Sequence, residues 1–225
     1  MITHDAVPIG HPGLPRDRVG ALDGSGRSAG LAVKRALDVV GALAGLILLA
    51  PLMLAAILLI LHESGPRGVL FTQARGGRDG LGFRITKLRT MRVAEDGPGL
   101  AQARAGDPRV TRIGRHLRRT SIDELPQLWN VLRGEMSLVG PRPHALAHDR
   151  ACAALIPGYR GRQRLRPGLT GWAQVQGHRG PTPTPDAMRA RVDVDLWYVE
   201  NRSLRLDLLI LARTIPLVLS GRNAV

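Results

Sequence analysis

The feature that most limits what this chain can become is the run Ala36–Leu61, ALDVVGALAGLILLAPLMLAAILLIL, apolar on every side of a helix except for Asp38 near its start. The run is long enough to cross a bilayer, yet Pro51 interrupts its hydrogen-bond ladder. At about 1.5 Å per residue, Ala36–Ala50 reaches roughly 20 Å and Leu52–Leu61 roughly 15 Å, against a hydrocarbon core of about 30 Å. Neither half spans alone. Basic residues flank both ends: Arg27, Lys34 and Arg35 before the run, and Arg67, Arg75 and Arg78 after it. Positive flanks favour the cytoplasmic side, so both ends belong on one face of the membrane. A re-entrant helix bent at Pro51 satisfies this and a straight span does not. We therefore expect a proline-broken re-entrant helix over 31–62, with an ordinary kinked transmembrane helix as the alternative. A signal peptide fits poorly, because the run starts behind a long polar stretch.

Beyond the membrane segment, 225 residues with 44% hydrophobic content suit one compact domain. Residues 1–30, rich in Gly, Pro, Arg and Asp, lack apolar periodicity and read as a disordered N-terminal tail. Residues 63–225 then form a cytosolic catalytic or binding unit with amphipathic interfacial helices. The net charge of +14 and the pI near 11.6 demand an anionic partner: nucleic acid, lipid headgroups or a phosphorylated small molecule. An aromatic content of 3% offers few rings to stack on bases, which argues against nucleic acid. Cys152 is the sole cysteine, so neither an internal disulfide nor a cysteine-built zinc site can form, as suits a reducing compartment.

The rest of the chain reads as mainly α with a small β-hairpin. VLFTQ and GFRITKLRT alternate around Gly76-Gly77 and form the hairpin; Glu95–Pro108 is a loop. Thr111–Arg133 has helical periodicity, with Pro126 marking a helix start and Thr120 or Ser121 as its cap, Glu124 standing at capping-box spacing from Ser121. GEMSLVGPRPHALAH and RLRPGLTGWAQVQGHRG are Gly-, Pro- and Arg-rich binding loops. Two helical patterns follow between Asp186 and Val218, the second apolar enough to lie on a membrane or in the core.

The adjacent carboxylates Asp123 and Glu124 follow Arg112, Arg115, Arg118 and Arg119, a layout expected to hold Asp123 ionised. An ionised aspartate can attack phosphorus to give an acyl phosphate, with arginines stabilising phosphoryl charge. The same pair at a helix start can equally just complement the macrodipole, and from the dipeptide both readings stand. Lys87 and Arg89 on the second hairpin strand, Arg118, and Arg142 between two prolines are candidate phosphate grips. His144 and His148 at i, i+4 are no convincing metal site; magnesium held by carboxylate and diphosphate oxygens is the more plausible ion.

Together these blocks resemble the bacterial sugar transferases that make polyprenyl-diphosphate-linked hexoses, the monotopic phosphoglycosyl transferases. The resemblance runs from KRALD (34–38) through SGPRGVLFTQARGG (64–77), KLRTM (87–91), DPRVTRIGRHLRRTSIDELPQLWNVLRGEMSLVGPRP (107–143) and RPGLTGWAQVQG (166–177) to DLWYVENRSLRLDLLILARTI (195–215). It implies that Asp123 is the nucleophile, that Glu124 completes the dyad and binds magnesium, and that Lys87, Arg118 and Arg142 grip phosphate. It also implies a catalytic domain on the cytoplasmic face of the bacterial inner membrane, with a UDP-sugar and undecaprenyl phosphate as substrates and UMP as leaving group. GPRPHALAH and GWAQVQGHRG look most like members that transfer glucose 1-phosphate to start an exopolysaccharide; UDP-galactose or a UDP-N-acetylhexosamine is the alternative donor. Those members commonly carry an extra N-terminal membrane bundle, so this chain resembles the minimal catalytic unit; a homodimer is compatible with the pattern. Two departures are Ala50 before Pro51, where serine is common, and Leu88 in KLRTM, where phenylalanine is usual. Ala50 removes a hydroxyl able to satisfy the carbonyls that Pro51 frees. The rival from another class is a membrane-anchored basic binding protein without catalysis, for which Asp123 is dispensable.

Overall fold

The computed structural model describes residues 24–65, 68–92 and 106–220, with side chains from Gly30 onward. The expected tail lies outside the described residues as far as residue 23, and from Gly24 the chain is already helical, so the first helix takes in the end of that tail. Most of the expected 95–108 loop also lies outside.

Helix α1 (Gly24–Ser64) is 41 residues long and its helical assignment runs unbroken through Pro51. It is long and apolar enough to cross a membrane, and little of its apolar stretch is covered by the rest of the protein. Leu43, Ile47, Leu48, Leu52, Leu54, Leu58 and Leu59 are exposed. What α1 does bury lies in two stretches, one in each half of the helix. In the first half, Arg35 donates to the carbonyls of Val131 and Leu132, and Asp38, fully buried, accepts from Ser137 Oγ and the Leu138 amide. Lys34 bridges Asp38 to Asp207. Gly41 lets the helix close on Leu138, whose Cδ1 lies 2.7 Å from where a Cβ would stand. In the second half, Ala56 and Ile60 pack on Leu88 and Leu117, and Glu63 accepts from the amides of Arg112 and Ile113.

The hairpin forms as the alternation predicts: β1 (Leu70–Gly76) pairs antiparallel with β2 (Gly82–Leu88), Leu70 facing Leu88 and Gly76 facing Gly82. Ile85 and Leu88 point inward, Ile85 into a core with Ala42, Leu128, Val131 and Met136, and Leu88 into the cluster beside α2. Helix α2 (Arg112–Arg119) is capped by Thr111, whose hydroxyl accepts from the Gly114 amide, while the helix that starts at Pro126 has no side-chain cap from the residues the capping-box pattern suggested. Those residues serve the next turn differently. Thr120 bonds back to the His116 carbonyl, and Ser121 adopts a left-handed conformation (φ 55°) with no side-chain cap. Residues Ile122–Glu124 form a 3₁₀ turn, after which Pro126 starts α3 (Gln127–Leu132) as expected, its fixed φ suiting a helix entry.

A second, unpredicted sheet joins the two Gly-rich loops. Strand β3 (Ser137–Val139) pairs in parallel with β4 (Gly168–Thr170). The backbones approach so closely that a Cβ at Gly168 would lie 2.1 Å from the Gly140 amide, which restricts the position to glycine. Helices α4 (Leu146–Leu155), α5 (Trp172–Val175), α6 (Pro185–Asn201) and α7 (Leu204–Ser220) complete the fold, α6 and α7 being the two C-terminal helices read from the sequence. Helix α7 exposes Leu208, Leu209, Ile215 and Leu219.

Candidate active site

The site is built on the 3₁₀ turn between α2 and α3, where the left-handed Ser121 reverses the chain and the turn presents Asp123 and Glu124 one after the other. Asp123 is 7% exposed. Glu124 is gripped from two elements. Lys87, on β2, donates to its Oε1 at 2.6 Å, and Arg142, in the loop after β3, bonds both oxygens in a two-pronged grip. Such paired, charge-assisted contacts fix orientation as well as charge.

Burial alone would push the Glu124 carboxyl up, but the Arg142 guanidinium and the Lys87 ammonium hold it well below the ordinary carboxylate range. The Lys87 ammonium is itself lowered by burial, with Glu124 opposing. Glu124 raises Arg142. Asp123 behaves differently: burial pushes it up to about 6, with Lys87 opposing, Glu124 adding to the rise, and Arg118 and Arg142 opposing. Arg118, one of the arginines expected to hold Asp123 ionised, acts in that direction. The larger effect is desolvation, and the result is a carboxylate charged at neutral pH without being fully compensated. Such tuning is common among nucleophiles and general bases.

Of the residues singled out in the sequence, Asp123, Glu124, Lys87 and Arg142 meet at one place, and Arg118 acts on Asp123 through its charge. Arg89 stands just past the end of β2, and its guanidinium packs over Gly68, 3.4 Å from where a Cβ would stand. The His144 and His148 rings meet at a tilt, and His144 is buried beside Tyr159 and Arg162, its pKa well below normal through burial and then the Arg162 charge. Among the described residues, no group of three or more His, Cys, Asp or Glu side chains is arranged to hold a metal ion. Both Glu124 oxygens already meet cations, so protein groups alone make no magnesium cage here.

Sequence reasoning missed what holds Arg142 in place. Arg162 donates to the Arg142 carbonyl at 2.7 Å and pairs with Asp195 on α6 at 2.6 Å, both partners buried. The Gly140 amide bonds the Thr170 carbonyl, and the Gly168 amide bonds that of Pro141. Arg142 therefore rests on β4 and α6, brought together only by the fold. Sequence reasoning also missed Arg179, which donates to Ser121 Oγ beside the dyad.

The bacterial sugar transferase family matches residues 29–221 of this chain. The chain belongs to the bacterial sugar transferase family. It is 58% identical over 191 residues to a UDP-glucose:undecaprenyl-phosphate glucose-1-phosphate transferase of Caulobacter vibrioides, covering 85% of this chain and 71% of that protein. It is 47% identical over 189 residues to the exopolysaccharide production protein PSS of Rhizobium leguminosarum, covering 82% of this chain and 94% of that one. An Aeromonas hydrophila protein named for transfer of N-acetylgalactosamine phosphate is 43% identical over 85% of this chain, which spans 45% of that relative. The rival reading of a basic binding protein without catalysis loses its ground, because the chain matches the sugar transferase family over residues 29–221 and the acidic pair sits in a built site.

Proposed function

We propose that this member of the family transfers glucose 1-phosphate from UDP-glucose to undecaprenyl phosphate, through a covalent intermediate on Asp123, as the first step of exopolysaccharide assembly. The observation that carries this reading is the buried Asp123, tuned to about 6, beside a Glu124 clamped by Lys87 and Arg142. In the first step an Asp123 carboxylate oxygen attacks the β-phosphorus, and the bond from that phosphorus to the bridging oxygen breaks, so UMP departs with the electron pair. In the second, a phosphate oxygen of the lipid attacks the same phosphorus, and the acyl–phosphate bond breaks to return the Asp123 carboxylate. Lys87 and Arg142 stand ready to turn from Glu124 toward phosphoryl oxygens, and Arg118 adds positive charge. Magnesium would be held by Glu124 together with diphosphate oxygens of the donor, which fits a site lacking a protein cage; it would neutralise charge on the leaving phosphate. Glucose is the donor named for the Caulobacter relative, and exopolysaccharide is the product named for the Rhizobium one.

The membrane arrangement is part of the proposal. Arg35 and Glu63 bond to the same folded unit, and about 42 Å of straight helix would separate them. A helix crossing the bilayer would carry its ends to opposite faces, and a catalytic unit on one face would then lose one set of contacts. A helix that dips in and returns keeps both, with the exposed leucines in lipid. The side served is the cytoplasmic face of the inner membrane, where UDP-sugars are found and where the basic flanks belong.

The test is UMP release by purified protein offered UDP-glucose, UDP-galactose or a UDP-N-acetylhexosamine with undecaprenyl phosphate and magnesium, beside Asp123→Asn. Release with UDP-glucose that vanishes in the variant supports the reading. Preference for another donor corrects the sugar, and full activity of the variant removes the covalent step.

A further inference from the structure

Behind the loop that carries Arg142 lies a buried polar cluster for which the transfer reaction has no direct use. His144, two residues beyond Arg142, and Asp149 on α4 are 6% and 7% exposed. Both meet the hydroxyl of the buried Tyr159, in the 3₁₀ turn Tyr159–Arg164: Tyr159 Oη stands 2.5 Å from Asp149 Oδ1 and 2.6 Å from His144 Nδ1. From the same turn Arg162 aims Nη1 at His144 Nδ1, 3.0 Å away. The charge of Arg162 is already met by Asp195, which accepts from its Nε and its Nη2. The second oxygen of Asp149 is buried against Gly76, where a Cβ would stand 1.8 Å from it, and it has no hydrogen-bond partner among the described residues.

The protons of this cluster can be counted. A guanidinium N–H only donates, so the His144 Nδ1 that faces it carries a lone pair and the ring is neutral. Burial, and then the Arg162 charge, hold His144 in that form. The Tyr159 hydroxyl has one proton for two short contacts. Given to Asp149, that proton leaves the hydroxyl oxygen against the Nδ1 lone pair; given to His144, it leaves the hydroxyl oxygen against Asp149 Oδ1. A second proton, on Asp149 Oδ1, removes the conflict, because Asp149 then donates to Tyr159 and Tyr159 to His144. The bare Oδ2 agrees, since an unpartnered carbonyl oxygen costs far less to bury than an unpartnered share of a carboxylate charge. Burial raises the Asp149 pKa and outweighs the Tyr159 hydrogen bond and the Arg162, His148 and Arg75 charges that lower it.

We propose that Asp149 is held as a neutral carboxylic acid and acts as a positioning residue: its proton completes a relay of hydrogen bonds, from Asp149 to Tyr159 to His144, that fixes the loop carrying Arg142. The backbone of this loop is bonded on both sides, the His144 carbonyl to the Gly76 amide, the Pro143 carbonyl to Arg75 and the Arg142 carbonyl to Arg162. The His144 ring adds a side-chain tether to these. With proline before and after it, Arg142 has little backbone freedom of its own, so the set of the loop decides where its guanidinium stands over Glu124. The positioning role rests on the reading of Arg142 as a phosphate grip given above; the proton on Asp149 does not.

Infrared difference spectra of the full-length protein in detergent, wild type against Asp149→Asn, read the proton itself. At pH 8, where Asp123 with its pKa of about 6 is ionised, a carboxylic-acid carbonyl band is expected in the wild type and not in the variant. Loss of a carboxylate band in its place would overturn the proposal. UMP release at varied UDP-glucose reads the positioning. Tyr159→Phe cuts both bonds and is expected to raise the donor KM about threefold to tenfold, the size of one neutral hydrogen bond, with kcat within twofold of wild type. Asp149→Ala is expected to do the same, whereas Asp149→Asn, whose amide can donate to Tyr159 as the acid does, is expected to stay within twofold in both constants. A fall in kcat at unchanged KM in Tyr159→Phe is what a smaller folded fraction gives and would overturn the positioning role, as would an Asp149→Asn no better than Asp149→Ala. Wild-type protein that releases no UMP would overturn the reaction proposed above and the positioning role with it, while the infrared band still decides the proton on Asp149.

Discussion

A carboxylate that attacks phosphorus must be charged, and Asp123 sits where charge is costly. Its pKa of about 6 predicts that acceptor-independent UMP exchange is flat above pH 7 and falls about tenfold per unit below pH 6, a profile that an isotope-exchange series would check. The sign for stability runs the other way. A raised carboxylate pKa means the folded protein holds its proton more tightly than the unfolded chain, so ionising Asp123 costs stability as pH rises from the ordinary 3.8 toward 6. Asp123→Asn is therefore expected to be inactive yet to melt no lower than wild type at pH 8. Glu124→Gln should do the opposite, because a group held well below its usual pKa contributes stability above the ordinary 4.5 that is lost as pH falls through the lowered value. Removing its charge leaves Lys87 and Arg142 facing each other, and a loss of about 3 kcal/mol in a denaturant melt is expected. The sequence displayed Asp123, Glu124, Lys87 and Arg142, since each has a local signature: an acidic pair, a strand position, an arginine between prolines. Arg179, Arg162 and Asp195 have none, because their partners stand 58, 20 and 33 residues away and only folding joins them. Arg89, read from the sequence as a strand residue, stands just past the end of β2 with its guanidinium over Gly68.

Elements were legible where their period is long enough to count. The hairpin's alternation and the helices of the C-terminal third follow from pattern, and Pro126 marks the start of α3. Strands β3 and β4 have three residues each, too few for a period to appear, and their pairing depends on backbones meeting at Gly140 and Gly168. The capping pattern at Ser121 misled for a physical reason: the left-handed residue is used to turn the chain, and its hydroxyl serves Arg179. Elements also carry two predictions. Gly41→Leu would force a side chain against Leu138, displacing α1 from β3, and a loss of about 1–3 kcal/mol in detergent-solubilised protein is expected. Arg162→Met strands Asp195 in the interior and releases the Arg142 carbonyl; about 3–5 kcal/mol of destabilisation is expected, with donor KM rising as the Arg142 loop loosens.

At the scale of the whole molecule, the family and the presence of one long apolar helix could be read from the sequence, but how that helix sits on the rest could not. Charge and length favour the re-entry proposed above, and the contacts of Arg35, Asp38, Ala56 and Glu63 support that reading from both halves of the helix. Tags placed at the two ends of the chain are expected to be digested together when protease is added to the cytoplasmic side of inverted vesicles, and protection of one alone would favour a span. The same contacts set an order of events during synthesis. The partners that hold the first half of α1, Ser137 and Leu138, lie 99 and 100 residues downstream of Asp38. A ribosome releases the apolar helix long before it delivers them, so while α1 first meets the bilayer only its flanking charges and Pro51 bias it toward turning back. On the re-entrant reading proposed above, the bonds to Asp38 arrive later and lock a choice the nascent chain has already made.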